Sequence, residues 1–396
     1  MDGVHAELTR VLREHAGRLT ACLIRTLGDF SAAEDVMQDA VETALRRWPT
    51  DGIPDHPDAW LLTTARRRGI DLLRREAGHR AKLARLRWPV PGEPDDRLKL
   101  IFTCCHPALP VPAQVALTLR TVCGLTTGQI AAAFLVPEAT VGQRITRAKR
   151  KITDAGIPYR IPPDAELPER LNQVLAVVYL LFNEGYLTSG GGRPHARDLV
   201  DDARWLAESL AWLMPRRPEI LGLLALIRLH QARTAARFDD GRLVLLRDQD
   251  RGRWDHDAVG EAVRLIERAA AMRRPGPYQL QAAIVACHAE APTWDDTDWT
   301  QILVLYDMLL SMTRTPVVRL HRAIALRYVR GPQAALDELD PLAESLDGHH
   351  LYHATRAEFL RDLGRHREAR TAGSRALALT GNPAQRVLLT DRLAWT

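Results

Sequence analysis

The 396-residue sequence is poor in cysteine, in aromatic side chains (6%) and in long apolar runs. Its five cysteines, Cys22, Cys104, Cys105, Cys123 and Cys287, are odd in number and scattered, which excludes a disulfide framework for a chain this long. Cys104-Cys105-His106 invites a metal reading. Adjacent thiols rarely converge on one ion, no second Cys or His pair completes four ligands, and Pro107 follows at once, so a buried apolar role is expected and no metal. The longest uncharged apolar stretch, residues 174–182, is far below the ~20 residues that cross a bilayer. The first thirty residues mix acids and bases (Asp2, Glu7, Arg10, Arg13, Glu14) without an apolar block, so neither a signal peptide nor a membrane anchor is expected and the chain reads as cytoplasmic. A Gly-rich phosphate loop and a nucleophile elbow are missing too. His195, His230, His288 and His321 stand at no ligand spacing. Asp248-Gln-Asp250 with Gly252 lacks the third oxygen residue and closing Glu of a calcium loop. No enzyme, no catalytic residue and no cofactor is expected.

Charge is present, and it is unevenly placed. Residues 1–155 hold 23 basic and 18 acidic side chains, which is the whole of the net +5, whereas residues 156–396 hold 31 of each. Inside the first part, residues 1–58 carry six bases against eleven acids, residues 60–87 carry nine bases against Asp71 and Glu76, and residues 137–152 carry Arg144, Arg147, Lys149, Arg150 and Lys151 against Glu138. An acidic start followed by two basic blocks suits one protein partner and one polyanion. Solvated helix faces are the plainer alternative.

Apolar residues recur at three- and four-residue steps over 5–27, 32–45 and 58–73, without alternating strand runs, so the chain reads as helical throughout. Ser31-x-x-Glu34 reads as a capping box that starts a helix near Ala32, Pro49 as its end, and Pro57 as a first-turn residue of the next helix. Four short helices follow over 95–103, 112–122, 126–134 and 139–155. Gly124 closes one, Thr126-x-x-Gln129 caps the next, and Val136-Pro137 makes the turn before the last, which is the order of a helix-turn-helix. Residues 157–168 hold four prolines and mark a boundary. Beyond them Arg322, Ala323, Leu326 and Ala335 recur 34 residues later as Arg356, Ala357, Leu360 and Ala369, a tetratricopeptide period. Gly373 stands where that pattern usually has a large residue.

The expected fold is therefore all-α: two small N-terminal helical domains, the second a helix-turn-helix, then an α-solenoid, tetratricopeptide-like C-terminal domain. The boundaries drawn are 1–76, a linker 77–94, 95–156, a Pro-rich linker 157–168, and 169–396.

In the last helix of the second domain Gln143, Arg147 and Arg150 share a face, as do Thr140, Arg144 and Arg147. Arg and Gln can make paired bonds to guanine and adenine edges in a major groove, with Lys149 and Lys151 near phosphates. The helix beginning near Trp60 carries Arg66, Arg67, Arg68, Arg74 and Arg75 around an apolar spine, and guanidinium groups both hold phosphates and stack on unpaired bases. Trp48 and Trp60 are read as core. Asp35 and Asp39, one turn apart beside Gln38, lack the partner base a carboxylate pair needs for catalysis and read as an acidic docking face. Asn183-Glu-Gly-Tyr186 reads as a helix end capped by Gly185 and lidded by Tyr186, with a ligand corner as the alternative.

Three phrases, Ala33-Glu-Asp-Val-Met-Gln-Asp-Ala40, Ala59-Trp-Leu-Leu-Thr-Thr-Ala-Arg-Arg-Arg-Gly-Ile-Asp-Leu-Leu-Arg-Arg75 and Ala139-Thr-Val-Gly-Gln-Arg-Ile-Thr-Arg-Ala-Lys-Arg-Lys-Ile152, stand in the order seen in bacterial sigma factors. Together they resemble extracytoplasmic-function sigma factors of the sigma-70 family. Tyr179-Leu-Leu-Phe-Asn-Glu-Gly-Tyr186, Gln249-Asp-Arg-Gly-Arg-Trp254 and Pro277-Tyr-Gln-Leu-Gln-Ala-Ala283 resemble the subgroup with a long helical C-terminal extension. The resemblance implies RNA polymerase core as partner, through its β′ clamp helices and β flap, and promoter DNA. It implies Asp35, Gln38 and Asp39 on the β′ clamp helices; Arg66, Arg67, Arg68, Asp71, Arg74 and Arg75 on the opened −10 element; and Thr140, Gln143, Arg144, Arg147, Lys149 and Arg150 on the −35 element. Such factors usually have Asn where this chain has Arg67. The extension is then expected to control activity in cis, with an unidentified protein or small molecule as its own ligand. The competing reading is a stand-alone helix-turn-helix regulator with a helical effector domain.

Overall fold

The structure, a computed structural model, describes residues 2–75, 96–134, 136–188 and 194–394. The chain divides into two compact units, Met1–Glu184 and Gly185–Thr396. Among the described residues no helix is long and apolar enough to cross a membrane.

The first unit opens with α1 (Asp2–Leu27), α2 (Phe30–Asp51) and α3 (Pro57–Arg75), which pack on one another. Leu19, Leu23, Ala33, Ala40, Ala44, Leu61 and Ala65 fill the space between them and are fully or nearly fully buried. The spacing of these residues by three and four is what gives each helix one apolar stripe. The start of α2 differs from the capping-box reading. Asp29, not Ser31, is the N-cap and accepts from the Ala32 amide at 2.7 Å. The carboxylate that a Ser31 box would need, Glu34, is engaged by Lys149 and Arg120 instead. The helix also runs through Pro49 to Asp51. Proline removes only its own N–H, and the Trp48 carbonyl still accepts from Gly52, which ends the helix at φ 84°.

The second part of this unit comprises α4 (Arg97–Cys104), α5 (Val111–Thr121), α6 (Thr127–Phe134) and α7 (Glu138–Asp154), followed by α8 (Leu167–Thr188). Thr126 and Gln129 form a reciprocal capping box at the start of α6, with N···O distances of 2.8 and 3.1 Å. Four cysteines are buried. Cys104 and Cys105 lie in the core beside the hydroxyls of Thr121 (3.2 Å) and Thr118 (3.5 Å). Burial pushes both thiols up, Cys105 to about 11, so neither is a ready thiolate.

Among its described residues the regular structure of the second unit is helical apart from a short hairpin, β1 (Phe238–Asp239) paired antiparallel with β2 (Arg242–Leu243). Asp240 and Gly241 turn it at φ 44° and 78°, a two-residue turn that needs positive φ at both positions. Its helices are α9 (Pro194–Leu213), α10 (Pro218–Ala232), α11 (His256–Ala271), α12 (Pro277–Glu290), α13 (Trp299–Met312), α14 (Pro316–Leu339), α15 (Ala343–Leu346), α16 (His350–Asp362), α17 (His366–Leu379) and α18 (Pro383–Ala394). Helix α14 is broken at Gly331, φ 85°, just before Pro332. The 34-residue repeat is visible in the packing: Ala323, Leu326 and Ala335, and then Ala357, Leu360 and Ala369, are all buried where helices meet. Gly373 departs from the repeat because a Cβ there would come within 2.8 Å of Leu393 on α18.

Three histidines of this unit are held neutral. Burial, reinforced by Arg233 and Arg251, lowers His288 to about 4; burial with Arg233 and Arg237 lowers His230 well below its ordinary value, and burial lowers His321. Unfolding restores each to about 6.5. Their contribution to stability is thus complete above pH 6.5 and is lost as pH falls toward 4, His288 alone accounting for about 3 kcal/mol. Hydrogen exchange in α12, corrected for intrinsic rates, is expected to accelerate between pH 6.5 and 4.5; constant protection over that range would contradict the burial of a neutral His288.

Candidate nucleic-acid interface

Helix α2 presents Asp35, Gln38 and Asp39 on one exposed stripe, three and four residues apart. The opposite stripe of the same helix is the core face, with Val36, Met37 and Ala40 buried. On α3, Arg66, Arg67, Arg68 and Asp71 are exposed, while Leu61, Ala65 and Gly69 turn inward and a Cβ at Gly69 would meet Leu27 at 3.1 Å. Asp39 and Arg68 face each other at 3.9 Å, so the acidic stripe and the arginine helix adjoin. The side chains of Arg74 and Arg75 lie outside the described residues. Trp48 is buried and meets Trp60 edge-on, with centroids 5.5 Å apart. The loop between α2 and α3 is 52–56, where Ile53 is an exposed apolar side chain.

Helix α7 divides sharply by face. Val141, Ile145, Ala148 and Ile152 are buried. Gln143, Arg147 and Arg150 are exposed, Thr140 and Arg144 half-buried. Arg150 has an exposed partner in Asp154 at 3.8 Å, a pair of little energetic weight. Arg144 also borders an apolar cavity of about 300 Å3 lined by Val115, Ile130, Phe134, Val141 and Leu180. The structure thus brings Thr140, Gln143, Arg144, Arg147 and Arg150 to one side of α7.

Lys149 is placed elsewhere. Only 12% of its side chain is exposed, and its ammonium is bonded to Glu34 of α2. Arg120 of α5 donates to the other oxygen of the same carboxylate at 2.8 Å and also to the Leu125 carbonyl at 3.2 Å. Burial works against the Glu34 charge, yet Lys149 and Arg120 together hold its carboxyl below the ordinary glutamate range. One residue of the docking phrase therefore ties the three-helix body to the helix-turn-helix.

The same seam is close-packed at the backbone. A Cβ at Gly17 on α1 would lie 2.8 Å from the Val122 carbonyl, and one at Gly124 would lie 2.9 Å from Ala16. Arg25 pairs with Asp96 at 3.0 Å. Tyr159, from the proline-rich segment, donates its hydroxyl toward the carbonyls of Ala21 (3.1 Å) and Asp96 (3.4 Å) and sets its ring edge against Phe30. Sequence reasoning missed Glu34, Arg120 and Tyr159. A lone tyrosine among four prolines was the available signal for the last; no local pattern marks the first two. Gly17→Leu is expected to pry this seam open and to leave helix content unchanged. Small-angle scattering of the full chain checks this, and an unaltered radius of gyration would show that the contact at Gly17 does not hold the two bodies together.

Residues 11–79 match the model for Sigma-70 region 2, residues 99–152 that for Sigma-70, region 4, and residues 170–270 that for a family of unknown function, DUF6596. An uncharacterized protein of Rhizobium meliloti (strain 1021) is 44% identical over 378 residues, covering 92% of this chain and 89% of that protein. The three-helix body with its arginine helix coincides with region 2, and the helix-turn-helix with region 4. The chain belongs to the sigma-70 family, as an extracytoplasmic-function-like sigma factor with an added C-terminal domain.

Proposed function

We propose that this sigma factor binds RNA polymerase core through Asp35, Gln38 and Asp39, which meet the β′ clamp helices, and that its C-terminal domain controls this activity in cis. The observation that carries the reading is the exposed acidic stripe of α2 lying against the arginine helix α3. A regulator that needs only duplex DNA has no use for that pairing of charges. Arg66, Arg67, Arg68, Asp71, Arg74 and Arg75 then hold the opened −10 element, where phosphate contacts and stacking on guanidinium planes offset the cost of unstacking. Thr140, Gln143, Arg144 and Arg147 read the −35 duplex from the major groove, with Arg150 on its phosphate backbone. The apolar cavity beside Phe134 and Val141 is the surface offered to the β flap. A photo-crosslinker at Gln38 is expected to label β′ in a complex with core polymerase, and one at Gln143 to label promoter DNA. Absence of a β′ adduct from Gln38 would contradict the docking assignment.

The seam between the two bodies adds a regulatory element. The −10 and −35 elements are about 25 base pairs apart, ~85 Å of straight duplex at about 3.4 Å per pair, whereas Glu34 and Lys149 are in contact. The described arrangement is the closed one, and reading both elements requires the Glu34 bonds to Lys149 and Arg120 to break. Lys149 then becomes available to a phosphate. Breaking a half-buried ion pair that serves two cations costs on the order of 1–3 kcal/mol. Glu34→Gln is thus expected to raise the population of open chains about tenfold, measured as energy transfer between dyes on α2 and α7. Unchanged transfer would remove Glu34 from this role.

A further inference from the structure

The phrases Asn183–Tyr186 and Gln249–Trp254 are not absorbed by the promoter-reading account. The helix-end reading of the first fails, because α8 continues to Thr188 and Gly185 lies within it, buried. A glycine cap needs the chain to leave the helix there, and it does not. Tyr186 instead meets two arginines, Arg237 and Arg233, and a third, Arg251, stands nearby against Trp254. Arg237 lies over its ring, 3.7 Å from the centroid, and donates to its carbonyl. Arg233 reaches the Tyr186 hydroxyl at 3.4 Å and Nδ1 of His230 at 2.8 Å. Arg251 donates to the carbonyls of His288 and Ala291, the latter at 2.7 Å. Trp254 stands beside both Arg233 and Arg251, its ring 5.9 Å from the first guanidinium and 4.7 Å from the second.

The acceptors around Arg233 and Arg251 are neutral: carbonyls, a phenol and a ring nitrogen. Among the described residues neither has a carboxylate within ion-pair distance, although Asp296 acts on Arg251 from farther away. Arg233 is only 7% exposed and Trp254 4%. Among the described residues three N–H donors here have no acceptor, Arg233 Nε, Arg251 Nη2 and Trp254 Nε1, and Nδ1 of His288 has no partner. Buried guanidinium charge without a counter-anion is costly, and native interiors rarely leave several adjacent donors unmet. A cavity of about 500 Å3 opens against Arg251, lined by the cations and imidazole of Arg264 and His256 and also by the carboxylates Glu267 and Glu290. It has room for the body of a small molecule beyond a charged head group.

We propose that Arg233, Arg251 and Trp254 form a site for the oxyanion group, carboxylate or phosphate, of a small molecule held in the C-terminal domain. An oxyanion has enough lone pairs to accept from all three donors at once, and guanidinium forks match its geometry. Tyr186 and Arg237 support the site by packing against Arg233 and its neighbours.

The test is a titration of the full chain with inorganic phosphate and, separately, with succinate, in chloride buffer of matched ionic strength. The indole N–H resonance of Trp254, assigned by its loss in Trp254→Phe, is followed by NMR, with calorimetry alongside. A saturable shift at one equivalent is expected with at least one of the two anions; phosphate alone marks a phosphorylated ligand, succinate alone a carboxylate. Arg251→Lys keeps the charge but removes the unmet Nη2 donor and is expected to weaken binding at least tenfold. No saturable shift with either anion, or equal affinity in Arg251→Lys, would overturn the proposal. If the variant fails to fold, the Trp254 resonance of the wild-type chain decides alone.

Discussion

Replacing Asp35 and Asp39 together by arginine is expected to reduce affinity for RNA polymerase core by about 100-fold or more, with the fold intact. Both side chains are exposed on α2, so surface substitution there should change stability by only about 0.5 kcal/mol. The exposed Asp39–Arg68 pair adds little to stability. At an interface the same reversals place cations against a surface chosen for anions, and like-charge juxtaposition costs several kcal/mol. Circular dichroism and thermal unfolding separate loss of docking from loss of fold. Normal core affinity of a well-folded double variant would refute the docking assignment.

The second large effect is expected on promoter reading. Arg144→Ala with Arg147→Ala should lower transcription from a −35-dependent promoter by about 25- to 10^4-fold, since each bidentate contact to a base is worth about 1–3 kcal/mol. The apolar face of α7, with Val141, Ile145, Ala148 and Ile152 buried, is untouched by these changes, so the helix-turn-helix should keep its stability. Arg150→Ala serves as the contrast: an exposed outer residue, it should weaken binding uniformly across sequences and flatten the salt dependence. Unchanged promoter preference in the double variant would remove Arg144 and Arg147 from the reading helix.

What the sequence reveals and what it conceals differ by range. Helices α1 to α3 and the cap of α6 are legible because three- and four-residue periodicity and the Thr126–Gln129 box are local. The positions of Gln143 and Arg147 on the outer face of α7 follow from the same periodicity. The roles of Asp29 and Glu34 do not. Both Ser31 and Asp29 are competent caps, and the choice is settled by Lys149 and Arg120 claiming Glu34 from 115 and 86 residues away. Asp240-Gly241 was a readable hairpin signal that the helical pattern on either side obscured. Gly373 breaks the repeat for a reason located on α18, outside the repeat itself. The gathering of Arg233, Arg251 and Tyr186 depends on packing between α10, α12 and the end of α8, which no spacing along the chain encodes.

The central claim, that this chain serves RNA polymerase core, is tested most directly by binding purified bacterial core to the full chain at two salt concentrations. The account predicts a saturable complex that weakens as salt screens the acidic face of α2. Failure to bind core at either concentration, by a chain that still binds duplex DNA, would contradict it and leave a stand-alone DNA-binding regulator as the better description.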